Sequence, residues 1–310
     1  MTQHIVYATD DNYVRQLGVS LSSLLEHNSH LQLYIYILDN GISDRNKNWL
    51  NKIVNINNTN LSYVDISNIK SFLPTKVDIN NLSLSTYARL FLSDLLPTSV
   101  DTVLYIDCDT YVCASLAELL NTDLQNYAVA GVEDCMYPSY KEGIGLIASE
   151  RYMNAGILLI NLKIWRELNL KDVFMNFILK YDGKVPHLDQ GVINGTIKNR
   201  LILSLKYNVQ STIFSFRKYS EMLRFFSMKS FYDESEVIDA RSNPVIIHYT
   251  SFFLQRPWFD FCLHPKRSMF RTKAKSLDCD YVLKKSKLSM IGKIKCLLFY
   301  YLQPIYLKLR

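Results

Sequence analysis

Val103-Leu104-Tyr105-Ile106-Asp107-Cys108-Asp109-Thr110-Tyr111-Val112 decides how the rest of the chain is read. Its first four residues are apolar or aromatic, two of them β-branched, which is the pattern of a buried strand. That run ends directly in two carboxylates one residue apart. Open α/β sheets bind ligands at the carboxyl ends of their strands, so Asp107 and Asp109 stand where such a fold puts a site. If the chain turns there, two acids at this spacing can face one hard divalent cation, which can in turn hold a diphosphate. The same two acids can also simply be a solvated strand end.

Upstream, Ile5-Val6-Tyr7-Ala8 reads as the first strand, closed by the turn and cap residues Thr9-Asp10-Asp11-Asn12. Leu17, Leu21, Leu24 and Leu25 then line one face of a helix. Residues 33–38 form a second strand, stopped by Asp39-Asn40-Gly41, Ser43 caps another helix, and residues 61–64 form a third strand. This β-α-β-α-β rhythm predicts a doubly wound, parallel sheet. The first loop lacks the glycine spacing of a dinucleotide site, which argues against a Rossmann dehydrogenase. Asp10 and Asn12 can hydrogen-bond a base or ribose there, or cap the helix. Ser85-Thr86-Tyr87-Ala88-Arg89-Leu90-Phe91 opens a helix in which Arg89 lies between apolar neighbours. Arg89 either reaches into a cleft, where it can clamp a phosphate or sugar, or closes a structural ion pair.

Downstream, residues 115–120 read as a short capped helix and 128–132 as a strand ending in Glu133-Asp134. Asn154-Ala155-Gly156 permits close backbone approach just before another fully buried strand. Residues 163–181 read as one or two amphipathic helices, and His187-Leu188-Asp189-Gln190-Gly191 as a polar turn opening a short helix. Asp189 is either its N-cap or a site acid. Residues 200–243 have mixed periodicity. Val245-Ile246-Ile247-His248-Tyr249 is a buried strand ending in a histidine, which either completes a metal shell or is a hydrogen-bonded structural residue. An imidazole beside two carboxylates suits Mn²⁺ better than Ca²⁺ or Mg²⁺.

A chain of 310 residues that is 48% hydrophobic can bury a sizeable core. No apolar run reaches membrane-spanning length, and the N-terminus goes into a strand without a signal-peptide pattern. A cytoplasmic chain is expected. The six cysteines show no CxxC pair, so free thiols are expected. Net charge is +6, yet residues 281–310 hold seven Lys/Arg and no acid, which leaves −1 for residues 1–280. A nearly neutral body with a basic tail is not the pattern of a nucleic-acid binder.

In this order over residues 3–260, these segments resemble the retaining glycosyltransferases of family 8. The likeness is to the bacterial lipooligosaccharide and lipopolysaccharide α-galactosyl- and glucosyltransferases. Ala8-Thr9-Asp10-Asp11-Asn12-Tyr13 is similar to the family's nucleotide-binding opening, and Ser85-Thr86-Tyr87-Ala88-Arg89-Leu90 to its sugar-binding helix. Leu104-Tyr105-Ile106-Asp107-Cys108-Asp109 is similar to its metal motif. Residues 152–162 and Leu188-Asp189-Gln190 resemble its sugar and catalytic segments, and Ile247-His248-Tyr249 with Pro257-Trp258 its closing segment. The resemblance implies a GT-A type α/β catalytic domain over residues 1–265, followed by a basic and aromatic tail at 266–310. It implies a UDP-galactose or UDP-glucose donor and a lipid-anchored oligosaccharide acceptor. Asp107, Asp109 and His248 are then the ligands of Mn²⁺ or Mg²⁺. Ala8, Asp10, Asn12 and Cys108 are expected on the nucleotide side, with Arg89, Asn154, Ala155 and Asp189 around the donor sugar. Gln190 is expected near the face opposite the leaving group, and Asp134 on the acceptor side. Gln190 is a neutral amide and a poor nucleophile, which favours front-face attack over double displacement.

Two positions depart from the family's pattern. Some relatives carry an acid immediately after the Asp-Gln pair, where this chain has Gly191, so no nucleophile stands there. The glycine expected after His-Tyr is missing and the loop to Pro257-Trp258 is longer, with Ser251 and Arg256 as the replacements that contact the diphosphate. The tail at 281–310 alternates basic with apolar and aromatic residues. It suits an interfacial helix on an anionic membrane, at the inner face of the cytoplasmic membrane, each basic residue contributing about 1 kcal/mol; the alternative is a helix packed on the domain. A nucleotide-sugar-binding protein without turnover is the competing function, and a phosphohydrolase a weaker third for lack of a nucleophile and base pair.

Overall fold

The computed structural model describes residues 2–55, 59–74 and 84–308. Four parallel strands form one half of the main sheet: β1 (Gln3–Asp10), β2 (Leu33–Asn40), β3 (Asn60–Asp65) and β4 (Thr102–Ile106). Beyond them come β6 (Val129–Glu133), β7 (Met153–Asn161) and β8 (Arg200–Ile202), giving the order β3-β2-β1-β4-β7-β6-β8. The sheet is parallel except for β7, which runs against both β4 and β6. Alternating side chains feed two cores. Ile5 and Tyr7 pack on one face of the sheet with Leu17, Leu21, Leu24 and Leu25 of helix α1 (Val14–His27). Val6 and Ala8 pack on the other face with Tyr87, Trp165 and Phe174.

Strand order reverses between β1 and β4, and a doubly wound sheet opens its crevice at that point. Because β7 is antiparallel, its first residues arrive at the same edge as the carboxyl ends of β1 and β4. Ile106 pairs with Ile157, and Asp107 N–H donates to Gly156 O at 2.8 Å. The sequence signal around residue 103 continues past the aspartates. Thr110–Val112 is a strand, β5, of a second sheet ordered β5-β10-β9, with β9 at Val209–Gln210 and β10 at Ile246–His248. His248 pairs with Thr110 in that sheet. The Asp-Cys-Asp turn is therefore the junction of two sheets, and β10 delivers its histidine to it.

Residues 163–181 form two helices, Leu162–Glu167 and Leu170–Lys180. The less legible stretch holds β8, β9, the 3₁₀ turn Leu205–Tyr207 and three α-helices, among them Ser211–Ser215. The cysteines are free. The segment after residue 265 is not uniform. Helix Arg267–Leu277 buries Phe270 and Ala274 in the core. Helices Met290–Tyr301 and Gln303–Lys308 then pack through Phe299, stacked on Phe253 at 4.0 Å, and through Gln303, which donates to Ser215 O at 2.9 Å. Their other side is exposed. Leu309 and Arg310, counted in the basic tail, lie outside the described residues. Among the described residues no helix is long and apolar enough to cross a membrane.

Candidate active site at the junction of two sheets

A cavity of about 400 Å³ opens at this edge, within the usual range for small-molecule sites. Ala8, Asp10, Arg89, Asp107, Cys108, Asp109, Asn154, Ala155, Asp189, Gln190 and Arg256 line it, all of them expected from sequence. Asn12 and Ser251 are exposed and do not line it. Asp10 caps the turn into α1, accepting from Asn12 N at 3.0 Å and Tyr13 N at 3.2 Å, so its capping reading holds. Asp134 lies behind the cavity wall and binds Gln190 and Asn154. Tyr13, Tyr105 and His187 also line the cavity, though sequence gave them no role.

Asp107, Asp109 and His248 converge so that one ligand atom from each lies within 4.8 Å of the others. His248 Nε2 is 3.0 Å from Asp109 Oδ1 and 3.8 Å from Asp107 Oδ2. This close approach depends on Gly156. A Cβ there would stand 2.2 Å from His248 Cε1 and 2.9 Å from Asp107 Oδ2. Two carboxylates and an imidazole fit a divalent ion of the Mn²⁺ class, so the residues fit the group the sequence implies. Burial alone would raise the Asp109 carboxyl, but His248 and Arg256 outweigh it and hold it below the usual carboxylate range. Burial alone would lower His248, but Asp109 outweighs it and raises the imidazole. Arg256 Nη2 is 3.1 Å from Asp109 Oδ2 and its Nη1 donates to Tyr13 OH at 2.9 Å. Cys108 donates its thiol proton to Ala8 O at 3.2 Å, and burial pushes that thiol well up, so it stays neutral.

A chain of amides ties the triad to Gln190 and Asp134, and its orientations follow from groups that can only donate. Gly156 N–H binds Asn154 Oδ1 at 2.9 Å, so the Asn154 amide NH₂ must face Asp134, at 3.0 Å. Asn208 Nδ2 also donates to Asn154 Oδ1, at 2.9 Å, which leaves Asn208 Oδ1 to accept from His248 Nδ1 at 3.0 Å. His248 therefore carries a proton on Nδ1 and directs Nε2 toward the carboxylates. Ala155 N–H donates to Gln190 Oε1 at 3.0 Å, so Gln190 Nε2 donates to Asp134 Oδ2 at 3.0 Å. Burial raises the Asp134 carboxyl despite these donors. Asn208 was not found from sequence because it lies in the stretch without a clear period.

Arg89 is buried and spans two acids. Its Nη2 donates to Asp107 Oδ1 at 2.8 Å, and its Nε stands 2.9 Å from Asp189 Oδ2 without hydrogen-bond alignment. Its Nη1 donates to Ala155 O, and its guanidinium stacks on the Tyr105 ring at 4.2 Å. Tyr105, two residues before Asp107 on the same strand face, donates to Asp107 Oδ1 at 3.1 Å. Asp189 is not an N-cap; it lies inside the first turn of helix Leu188–Thr196. Burial raises its carboxyl to about 6, because one guanidinium shared between two acids, and poorly aimed at this one, does not offset the lost hydration. The turn that sets Asp189 is tight. His187 and Leu188 are left-handed, with φ of 57° and 56°, a conformation costing about 1 kcal/mol or more each. A Cβ on Gly191 would stand 1.9 Å from Pro186 O, so the acid some relatives carry at this position has no room here.

A family model described as glycosyl transferase family 8 matches residues 4–262. A putative glycosyltransferase of Haemophilus influenzae is 33% identical over 218 residues, covering 68% of this chain and 64% of that one. The lipopolysaccharide 1,2-glucosyltransferase of Escherichia coli K12 is 26% identical, over 86% of this chain and 76% of that one. Among solved structures, the galactosyltransferase LgtC in complex with donor and acceptor sugar analogs superposes with a TM-score of 0.74 at 27% identity. That match covers 89% of this chain and 96% of that chain. With the family model spanning most of the chain and a mostly parallel sheet of the GT-A kind beneath the site, this chain belongs to glycosyl transferase family 8.

Proposed function

We propose that the chain is a retaining hexosyltransferase that moves galactose, or glucose, from a UDP-sugar onto a lipooligosaccharide or lipopolysaccharide core saccharide. The observation that carries this reading is the meeting of Asp107, Asp109 and His248 at a cavity that Asp107 and Asp109 line together with Asn154 and Gln190. Asp107, Asp109 and His248 would hold a divalent ion, Mn²⁺ by their ligand chemistry, and the ion would supply positive charge against the donor diphosphate and the departing UDP. Arg256 adds a fixed positive charge on the phosphate side. Asp10 and the end of β1 face the nucleoside. Arg89, Asp189 and Asn154 offer donors and acceptors to the donor sugar hydroxyls. Gln190 Oε1 already accepts from Ala155 N and from Asn154 Nδ2, at 3.2 Å, which makes it a poorer nucleophile still. That engagement supports front-face attack, with Gln190 as an orienting amide and Asp134 behind it as its anchor.

The test is UDP release from UDP-galactose and UDP-glucose with Mn²⁺, repeated with EDTA. Release that needs the metal and favours one sugar supports the reading. Binding of UDP-sugars in thermal shift without any release would leave a nucleotide-sugar-binding protein.

We also propose that the chain sits peripherally on an anionic membrane, at the cytoplasmic face. Met290, Ile291, Ile294, Leu298, Tyr301 and Ile305 form an exposed row at helical spacing on the side of the last two helices away from Phe299. Five lysines between 284 and 295 accompany it. Apolar burial plus attraction to acidic headgroups is the combination an interfacial helix uses.

A further inference from the structure

A second cavity of about 350 Å³ is lined in part by Glu133, the last residue of β6. Glu133 and Asp134 are consecutive, about 3.8 Å apart at Cα, and diverge. Asp134 binds the Gln190 amide behind the first cavity, whereas Glu133 lines the second. The second cavity is built around Lys141. This lysine is 5% exposed, and its Nζ donates to Glu150 O at 2.8 Å and Ala148 O at 3.4 Å, leaving a third N–H uncommitted. Among the described residues no carboxylate lies within ion-pair distance of Nζ. Glu133 lines the same cavity and its charge reaches Lys141, but its carboxylate is held by Arg151 at 2.6 Å and makes no ion pair with the lysine. A buried ammonium held by two carbonyls and facing a cavity, with no carboxylate at ion-pair distance, is stabilised by an anion that completes it. Lys229 adds a second positive charge at the rim, Ser149 and Ser230 add hydroxyls, and Met136 and Met228 give apolar walls.

We propose that this cavity holds the carboxylate or phosphate oxygens of an acidic sugar unit of the acceptor, next to the unit being glycosylated, with Lys141 as the fixed charge. The identity of the ligand as part of an acceptor rests on the glycosyltransferase reading; the binding of an anionic sugar does not. The first experiment labels the methionine methyl groups with ¹³C and titrates the full chain with glucose 6-phosphate, glucuronate, glucose and inorganic phosphate. Saturable shifts of the Met136 and Met228 methyls are expected with one or both acidic sugars, and which one responds separates phosphate from carboxylate. Glucose and inorganic phosphate should bind at least about tenfold more weakly. Lys141→Leu should weaken acidic-sugar binding about tenfold or more, as loss of a charge-assisted hydrogen bond does. Lys229→Gln, at an exposed position, should weaken it about twofold to threefold even if the buried variant folds poorly. Equal binding of glucose, equal binding of inorganic phosphate, or wild-type affinity in Lys229→Gln together with a folded Lys141→Leu overturns the proposal. The second experiment measures transfer to two acceptors differing only in the acidic group. A lower KM for the acidic one, lost in Lys141→Leu while UDP release without acceptor is kept, supports the placement, and equal kcat/KM for both overturns it. Absence of UDP release in the wild type would sink the glycosyltransferase reading and leave the methyl titration to judge the cavity.

Discussion

Asn208 touches neither the cavity nor the three residues that converge on it except through His248, yet the geometry makes it govern metal affinity. Its Oδ1 accepts the His248 Nδ1 proton at 3.0 Å and its Nδ2 donates to Asn154 Oδ1 at 2.9 Å, with the side chain fully buried. Asn208→Leu keeps the volume and removes both bonds. The imidazole then has two choices. It can keep its proton on Nδ1 with no acceptor, at about 1–3 kcal/mol. Or it can place the proton on Nε2, the nitrogen that faces Asp107 and Asp109, and cease to be a ligand. Partners of metal-bound histidines are worth about 10- to 100-fold in affinity, or about 1.4–2.8 kcal/mol. Asn208→Asp separates the two roles. A carboxylate still accepts from Nδ1, so the tautomer is kept, but it cannot donate to Asn154 Oδ1. The assay is Mn²⁺ titration followed by electron paramagnetic resonance at saturating UDP, with circular dichroism as a check on folding. The expected order of affinity is wild type, then Asn208→Asp within about threefold, then Asn208→Leu weaker by about tenfold or more. Wild-type Mn²⁺ affinity in a folded Asn208→Leu protein would refute the argument that this amide fixes the tautomer.

Gly156→Ala should abolish Mn²⁺ binding and lower thermal stability, because the new methyl would stand 2.2 Å from His248 Cε1; a variant that melts and titrates like the wild type contradicts this. Asp189 gives a pH test with a definite sign. Its folded carboxyl, raised to about 6, binds a proton that the unfolded chain has already lost, so stability falls as pH rises from about 4 to about 6. Urea unfolding of wild type and Asp189→Asn should give a stability difference that declines over that window by at most about 1.4 kcal/mol per pH unit; a difference that grows with pH would mean that Arg89, not burial, controls the group. On the last two helices, Ile291→Asp with Leu298→Asp should abolish co-flotation with anionic vesicles while leaving UDP release unchanged, and flotation at the wild-type level would remove the membrane proposal.

The parts of this molecule that were legible in its sequence share one physical property: their signal is local. A strand buried on both faces is a continuous apolar run, so residues 103–106, 128–132 and 157–160 were visible, and the acids that follow the first two marked the edge where a ligand sits. Arg89 was visible as a cation among apolar neighbours, and the structure resolves its two readings by combining them: it lines the cavity and pairs with Asp107 and Asp189. What was not legible depends on contacts between distant segments. Thr110–Val112 is too short to announce itself and is a strand because β10, more than 130 residues later, pairs with it. Asn208 has no local pattern, since its role comes from two partners, one 40 and one 54 residues away in sequence. Lys141 reads as an ordinary surface lysine within Pro138–Glu142, and only the fold buries it. Asn12 and Ser251 show the converse: a motif position carried over from relatives specifies a place along the chain, but an exposed loop does not oblige the side chain to face the cavity. The ligands of this site were therefore readable from strand ends, whereas the groups that orient them, which decide whether the site binds anything, required the three-dimensional pairing of β5, β9 and β10.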